Sequence, residues 1–303
     1  MSVSLIIPTR NQHQILDQAL QSIMNARLDG LGPIDIIVVD NQSDNTQSQQ
    51  FLAQLDSSPA LNQSCSISVL PFDEPFNYSK INNLAATQAK GEIYCFLNND
   101  IEVISSDWLI QLTQSARQPS IGCSGALLFY PNDTVQHAGV VLGMGTIAGH
   151  AYTGLDRSKT QIHPYFQQPR DCSAVTGACI AVSRENFNQV NGFDETLPVA
   201  FNDVDFCLKI KKLGLTNRFL PQVQLYHHES LSRGKGIKSE AAKERHKNDI
   251  QMLKKRWGKE VSEDSYWLEL ATKNNLASLP QFSSTSRLGW KKKPKCYLHK
   301  DLV

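Results

Sequence analysis

Short, mostly apolar runs alternate with amphipathic segments along the first 100 residues of the chain. Each run has the length of a strand, and the apolar residues between runs recur at the spacing of a helix face. Strands that are apolar on both sides must be covered on both faces, so the alternation predicts an α/β fold with a mostly parallel central sheet and helices on both faces. The predicted strands are Val3–Ile7, Ile34–Val39, Ile67–Leu70 and Ile93–Leu97, and the helices between them cover 15–24, 47–55 and 81–85.

Beyond residue 100 the pattern is less regular. It predicts helices at 105–116 and 202–213, strands at Gly125–Tyr130 and Ala174–Val182, and loop with short strand in the glycine-rich stretch 139–154. After Gly236 a charged helix, 238–257, precedes a polar, basic tail. We therefore predict one domain over residues 1–235 and a C-terminal helical extension and tail over 236–303 that packs on or follows the same domain.

Composition indicates a globular protein and excludes some classes of function. The 303 residues are 41% hydrophobic and 19% charged, and the formal net charge of +1 gives no overall field for nucleic acid. No stretch reaches the roughly 18 apolar residues of a membrane span. The first strand begins without the pattern of a signal peptide, and the seven cysteines include no CxxC pair. We expect a cytoplasmic protein whose cysteines are small buried hydrophobes.

Two predicted strands end in a carboxylate. Asp40 follows the second strand, and Asp100 closes the segment Asn98–Asp100 after the fourth. The carboxyl ends of parallel strands form the edge at which open α/β sheets bind ligands, and hard cations there take carboxylate oxygens together with substrate phosphates. An acid at the position of Asp40 can accept hydrogen bonds from a nucleotide, although both segments are also ordinary turn sequences.

Glycine-rich phosphate loops are absent from the places where they would be needed. The segment Pro8–Asn11 after the first strand contains no glycine, which argues against nicotinamide and flavin enzymes and against sugar-1-phosphate nucleotidyltransferases. The stretch Gly143–Gly149 is superficially similar to GxGxxG, but its spacing is one residue too long and no amphipathic helix follows.

The start of the predicted helix at 202–213 is rich in acids. Asparagine is a good N-cap and acids in a first turn complement the helix dipole, so Asn202 and Asp205 are interpreted as capping residues. Asp203 is left as either a first-turn acid or a general base for a substrate hydroxyl.

A second dense group of polar residues, Tyr226–Gly234, follows an apolar strand-like segment. Its histidines can join an oxygen-ligated metal, and Arg233 can clamp a phosphate. His137 and His150 flank the glycine-rich stretch and are candidates either for substrate contact or for structural roles.

With these segments assembled, the chain resembles the inverting family 2 nucleotide-sugar glycosyltransferases of the GT-A fold, especially bacterial members that build surface polysaccharides. The similarity runs from Val3 to about Gly234, in family order, and no single segment carries it alone. The matching segments are Ile6–Asn11, Val38–Ser43, Phe76–Asn83, Asn98–Asp100, Thr176–Cys179, Asn202–Cys207, and His227–Ser230 with Ser232–Gly234.

The resemblance implies a donor site for a UDP-, GDP- or dTDP-sugar. Gly177 would let the backbone approach the sugar, and Arg233 would lie near the diphosphate. The implied donor-site residues are Pro8, Thr9, Arg10, Asp40, Asn77, Lys80, Asn99, Gly177 and Arg233.

The resemblance also implies a cation and a catalytic base. Asp100 matches the last acid of the family's DxD motif and would hold Mn²⁺ or Mg²⁺ together with His227, while Asp203 matches the second acid of the ED motif, the general base. The chain departs from the pattern at Asn98 and Asn202, where the family has acids. With a single carboxylate available, we expect weak metal affinity before the donor binds.

The function implied is transfer of a sugar, with inversion, to a saccharide or lipid-linked saccharide acceptor in surface polysaccharide biosynthesis. The basic tail around residues 290–295 is a candidate for contact with the inner face of the plasma membrane, and a solvated tail is the alternative. A non-catalytic sugar-nucleotide or glycan-binding module is the competing class, because the acids are depleted at Asn98, Asn99 and Asn202.

Overall fold

A mixed β-sheet with helices on both faces organises the computed structural model, which describes residues 1–57, 64–228 and 239–267. The strands are β1 (Val3–Thr9), β2 (Ile34–Asp40), β3 (Cys65–Pro71), β4 (Ile93–Leu97), β5 (Ile101–Val103), β6 (Ile121–Phe129), β7 (Val135–His137), β8 (Val140–Leu142), β9 (Ala148–His150), β10 (Arg170–Cys172), β11 (Cys179–Ser183) and β12 (Thr216–His227). The helices are α1 (His13–Met24), α2 (Thr46–Ser57), α3 (Tyr78–Gln88), α4 (Trp108–Ala116), α5 (Arg157–Thr160), α6 (Arg184–Gln189), α7 (Asn202–Lys212) and α8 (Glu240–Trp257).

The amino-terminal half of the sheet is parallel, as the apolar runs predict. Its order is β3–β2–β1–β4, with Leu5 of β1 opposite Ile36 of β2 and Cys95 of β4. Successive side chains of β1 enter different cores, with Leu5 in one cluster and Ile6 in the other. Both faces of the sheet are therefore buried, which confirms the α/β prediction.

The second half of the sheet continues through an antiparallel strand. β11 lies between β4 and β6 and runs antiparallel to both, while β12 is parallel to β6 and carries β10 on its outer side. The sheet is thus mostly parallel, and β11 begins at the edge where β4 ends.

Two strands begin four or more residues away from the position that the sequence predicts. The strand expected at Ala174–Val182 begins only at Cys179, because the preceding residues cross over the sheet and place Val175 against Gly125 of β6. A Cβ on Gly125 would lie 2.5 Å from the Val175 Cβ, so only glycine permits this crossing. β6 in turn begins at Ile121 rather than Gly125.

The start of α7 is stabilised by α8 rather than by a side-chain cap. The N-cap residue is Phe201, which makes no capping side-chain hydrogen bond, so the capping interpretations of Asn202 and Asp205 are wrong. Asp205 is fully buried, and its Oδ1 accepts hydrogen bonds from Arg256 at 2.6 Å and from the Trp257 indole at 2.8 Å. Arg256 also pairs with Asp194, which ties α8 to the loop that precedes α7.

Several smaller expectations can be compared with the described residues. The stretch Gly143–Gly149 belongs to the β8–β9 hairpin, and the next helix, α5, begins only at Arg157 and has four residues. Cys95, Cys179 and Cys207 are buried free thiols, as predicted. The predicted boundary at residue 235 falls outside the described residues, as does the basic tail at 290–295. Among the described helices, none combines the length and apolar character that crossing a membrane requires.

Replacement of Arg256 by methionine tests the α7–α8 contact. The Arg256→Met change leaves the fully buried carboxylate of Asp205 without its cation, and we expect a loss of about 3 kcal/mol in the free energy of unfolding. Urea unfolding of both proteins measures this difference. The exposed neighbour Lys255 supplies the control, and Lys255→Met should change stability by less than about 0.5 kcal/mol. Equal effects of the two substitutions would contradict the proposed importance of the buried pair.

Candidate active site

Polar residues collect at the carboxyl-terminal edge of the parallel strands. Thr9 ends β1 opposite Asp40 at the end of β2, Asp100 follows β4, and His227 ends β12. The turn 176–178 precedes β11 at the same edge, because β11 runs antiparallel to β4 and pairs Cys179 with Leu97. The topology thus brings the separate motifs of the sequence to one place.

Asp100 and His227 form a close pair at this edge. His227 Nε2 lies 3.1 Å from Asp100 Oδ1, and the two side chains are only 11% and 6% exposed. Their backbones are fixed by the short β5–β12 ladder, in which the N–H of His228 donates to the carbonyl of Asp100 at 2.9 Å. The structure therefore brings together the two residues that the sequence predicted as metal ligands.

Two amide side chains contact the ring of His227. Gln136 of β7 places its Oε1 2.6 Å from Nδ1, and Asn98 places its Nδ2 3.1 Å from Nε2. Asn98 is itself held by a backbone hydrogen bond from its N–H to the carbonyl of Ala178 at 3.0 Å.

The donor atoms of this pair suit a small divalent cation. Mn²⁺ and Mg²⁺ prefer carboxylate oxygens, which an imidazole nitrogen can join, and ligands at right angles around such a cation lie about 3 Å apart. The described residues contain no group of three or more His, Cys, Asp or Glu side chains that could hold a metal by itself. The Asp100–His227 pair therefore suits a cation that takes its remaining ligands from a bound diphosphate and water.

Asp203 stands at the start of α7 and faces the turn 176–178. Its Oδ2 accepts a hydrogen bond from the N–H of Gly177 at 2.9 Å, and its Oδ1 accepts one from the N–H of Val204 at 2.8 Å. The side chain is half-buried, so it is both held and open to a ligand. The same turn binds Asn98 through Ala178, which connects Asp203 to the Asp100–His227 pair.

Gly177 is required by the packing of this turn. A Cβ at Gly177 would lie 2.9 Å from the hydroxyl of Tyr78, and that hydroxyl donates to the Gly177 carbonyl at 2.6 Å. The sequence predicted that this glycine lets the backbone approach a sugar, whereas the contact that the structure gives it is with Tyr78.

The predicted nucleotide side of the site is a connected set of loops. Thr9 accepts a hydrogen bond from the Asn99 side chain at 3.0 Å, and Asp40 Oδ1 accepts from the hydroxyl of Ser43 at 2.5 Å. Pro8 lies one residue before the end of β1, opposite Val39.

Arg10 and Asp44 lie on the exposed side of these loops. The Arg10 guanidinium is 3.5 Å from the Asp44 carboxylate. A hydrogen bond from the Asn11 side chain, with Arg10 nearby, lowers the pKa of Asp44 below its usual value. Arg10 is thus an exposed cation beside the ends of β1 and β2.

Asn77 and Lys80 mark the start of α3. Asn77 caps the helix, accepting the N–H of Lys80 at 3.1 Å, and donates to the carbonyl of Glu195 at 2.8 Å. Lys80 pairs with Glu74 at 2.6 Å, and this hydrogen bond raises the pKa of Lys80. Both predicted residues therefore have local structural partners as well.

His137 and His150 contact each other, with 2.6 Å between their Nδ1 atoms. His137 is buried, and its Nε2 accepts the N–H of Gly139 at 3.2 Å. Burial, with His150 and His227 nearby, holds the pKa of His137 well below its usual value. His137 is therefore a neutral structural residue behind the site. Arg233, the predicted diphosphate cation, lies outside the described residues.

Gln136 and Tyr78 also contact the site residues, and neither was predicted from the sequence. Both lie in apolar surroundings, with Gln136 buried between Val135 and His137. The available signal for Gln136 was a single amide inside a short strand, because a buried amide needs a hydrogen-bond partner.

The chain is similar in sequence to known proteins. The chain is 37% identical over 290 residues to the uncharacterized protein y4gI of Sinorhizobium fredii, which covers 94% of this chain and 31% of that protein. It is 36% identical over 232 residues to the O-antigen biosynthesis protein RfbC of Myxococcus xanthus, covering 76% of this chain and 18% of that protein. The chain therefore spans less than a third of the length of these relatives.

A solved structure similar to this one is that of GalNAc-T7 with UDP, GalNAc and Mn²⁺. The two superpose with a TM-score of 0.61 at 16% identity, over 75% of this chain and 44% of that chain. At this identity the likeness shows the fold, which is the GT-A glycosyltransferase fold that the sequence predicted. Residues 4–190 match the family described as Glycosyl transferase family 2, and the chain belongs to that family.

Proposed function

We propose that the protein transfers a sugar from a nucleoside-diphosphate sugar to the hydroxyl of a saccharide or lipid-linked saccharide, with inversion at the anomeric carbon. The observation that carries the proposal is the meeting of Asp203 and the Asp100–His227 pair around the turn 176–178. A base and a diphosphate-binding pair at one edge are the two groups that this reaction needs.

Asp203 is proposed as the general base. Its carboxylate takes the proton of the acceptor hydroxyl while that oxygen bonds to the anomeric carbon, and the bond from that carbon to the diphosphate oxygen breaks on the opposite face. The electron pair leaves with the nucleoside diphosphate. The hydrogen bonds from Gly177 and Val204 fix the carboxylate before the acceptor arrives, which lowers the cost of orienting it during the reaction.

Asp100 and His227 are proposed to hold Mn²⁺ or Mg²⁺ against the donor diphosphate. The cation, when bound, neutralises negative charge on the departing diphosphate. The chain supplies one carboxylate and one imidazole, so the donor must complete the site and affinity for metal alone is expected to be weak. Arg233 is kept in the proposal as a further cation near the diphosphate.

The remaining predicted donor residues are proposed to line the nucleotide and sugar pocket. They lie at the carboxyl ends of β1, β2 and β4, in the turn before β11 and at the start of α3, at the same edge of the sheet as Asp100. They are Pro8, Thr9, Arg10, Asp40, Asn77, Lys80, Asn99 and Gly177. The donor is a UDP-, GDP- or dTDP-sugar, and UDP in the similar GalNAc-T7 structure supports a nucleoside diphosphate in this fold.

The biological setting is proposed to be surface polysaccharide synthesis at the cytoplasmic face of the membrane. The name of the Myxococcus relative, an O-antigen biosynthesis protein, supports this setting. The basic tail is proposed to contact the membrane there.

Removal of the proposed base should impair turnover and spare donor binding. In Asp203→Asn the side chain keeps one oxygen acceptor for the turn 176–178, so the fold should persist while proton removal is lost. We expect turnover to fall by about 10²–10⁴-fold. The measurement is release of nucleoside diphosphate in the presence of acceptor, with calorimetry for donor affinity.

The exposed Asp29 provides the matched control. Asp29→Asn makes the same chemical change in the connection between α1 and β2, at the edge of the sheet opposite to the carboxyl ends of the parallel strands. Near-normal turnover in folded Asp203→Asn protein would rule out this base. Donor binding by the wild type without turnover on any donor or acceptor would instead favour the non-catalytic module.

The cation proposal predicts metal-dependent nucleotide binding. Calorimetric titration with UDP and with GDP, each with and without Mn²⁺, should show tighter binding with the metal. Asp100→Asn should reduce this gain by about tenfold or more, because it removes the carboxylate of the pair. The control is Asp107→Asn, in the connection between β5 and α4, where Asp107 pairs with Arg27 at 3.6 Å. A full Mn²⁺ effect in Asp100→Asn would show that the metal, if bound, lies elsewhere.

A further inference from the structure

The two nitrogens of the His227 ring have different kinds of partner. Nδ1 faces the Gln136 side chain at 2.6 Å, and Nε2 faces both the Asn98 side chain at 3.1 Å and the Asp100 carboxylate at 3.1 Å. A neutral imidazole carries its proton on one nitrogen and a lone pair on the other, and the neighbours decide which.

The Gln136 amide is oriented by its second contact. Its Nε2 lies 3.5 Å from the backbone carbonyl oxygen of His227, an acceptor that the NH₂ group can satisfy. The carbonyl oxygen of the amide is thereby directed at Nδ1, and it can only accept a hydrogen bond there. This contact favours a proton on Nδ1.

Asn98 contacts the other ring nitrogen, Nε2, and this contact also favours a proton on Nδ1. Its NH₂ group is placed to donate to Nε2, which requires a lone pair on that nitrogen. A carboxylate at this position would have no proton to donate, and it would place a second negative charge beside Asp100. The departure of the chain from an acid at Asn98 is therefore consistent with a role as hydrogen-bond donor.

We propose that Gln136 and Asn98 are positioning residues that hold His227 as the Nδ1–H tautomer, with the Nε2 lone pair beside the Asp100 carboxylate. This rests on the proposed function in taking Asp100 and His227 as the ligands of a divalent cation. In this tautomer the Nε2 lone pair and the Asp100 carboxylate lie 3.1 Å apart and both face the place where a cation would bind, and the cation would relieve their mutual repulsion.

The opposite tautomer would block the same site. A proton on Nε2 would be donated to Asp100, and a cation would then have to displace it before binding. Gln136 and Asn98 oppose that competition, because a proton on Nδ1 is stabilised by Gln136 and a lone pair on Nε2 by Asn98. Ligand imidazoles must offer a lone pair to the metal and are oriented by a hydrogen bond at the other nitrogen. The two amides thus compensate in part for a site that has one carboxylate.

The tautomer can be observed directly by ¹⁵N NMR of the full chain labelled at histidine, without metal, donor or acceptor. His227→Gln assigns the resonances by their loss. The expected result is a protonated Nδ1 and an unprotonated Nε2. Protonation at Nε2 in the metal-free wild type would overturn the proposal. This readout does not depend on sugar transfer, so it separates failure of the proposal from failure of the proposed function.

Variants at Gln136 test whether its side chain determines the tautomer of His227. Gln136→Leu removes the acceptor at Nδ1, so the proton should move toward Nε2, and affinity for Mn²⁺ in the presence of UDP should fall by about 10–100-fold. Gln136→Glu keeps an acceptor at Nδ1 and should preserve the tautomer. The exposed Gln114 gives the matched control, and Gln114→Leu should leave both readouts unchanged. An unaltered tautomer in folded Gln136→Leu protein would overturn the role of Gln136.

Discussion

The short antiparallel ladder between β5 and β12 is the constraint on which the rest of the site depends. It pairs His227 with Ile101, directly after Asp100, and it is closed by the hydrogen bond from the His228 N–H to the Asp100 carbonyl. Backbone hydrogen bonds of a ladder fix register to the residue, and a slip of one position would turn His227 to the other face. The ladder therefore holds a carboxylate and an imidazole from distant parts of the chain in contact.

A second layer of constraint comes from close backbone packing and from the C-terminal helix. Gly125 lets the segment before β11 cross the sheet, and Gly177 lets the turn 176–178 pack on Tyr78. That turn holds Asp203 at the start of α7, and α7 is held by α8 through Arg256 and the buried Asp205. The position of Asp203 thus depends on α8, which belongs to the C-terminal extension, so this helix helps to support the site.

The family match covers only part of the site. Residues 4–190 contain Thr9, Asp40, Asp100 and Gly177, whereas Asp203 and His227 lie after the matched region. The carboxyl ends of β1, β2 and β4 supply the donor side, and the later elements α7 and β12 return to the same edge with the proposed base and imidazole. The fold joins the two parts because β12 runs in the same direction as β6 and β4 and therefore ends at the same edge of the sheet.

The sequence by itself determined the strands of the parallel half, their alternation with helices and the acids at their carboxyl ends, because apolar periodicity and strand length are local properties of the chain. It also indicated the family, since the motifs occur in order along the chain. Only the tertiary structure decided that Gln136 and Asn98 contact the His227 ring, that Asp205 pairs with Arg256 instead of capping α7, and that residues 174–178 cross the sheet rather than extend β11. These contacts join residues far apart in sequence, and they follow from strand order, register and the absence of a Cβ at two glycines, which hydrophobic pattern does not encode.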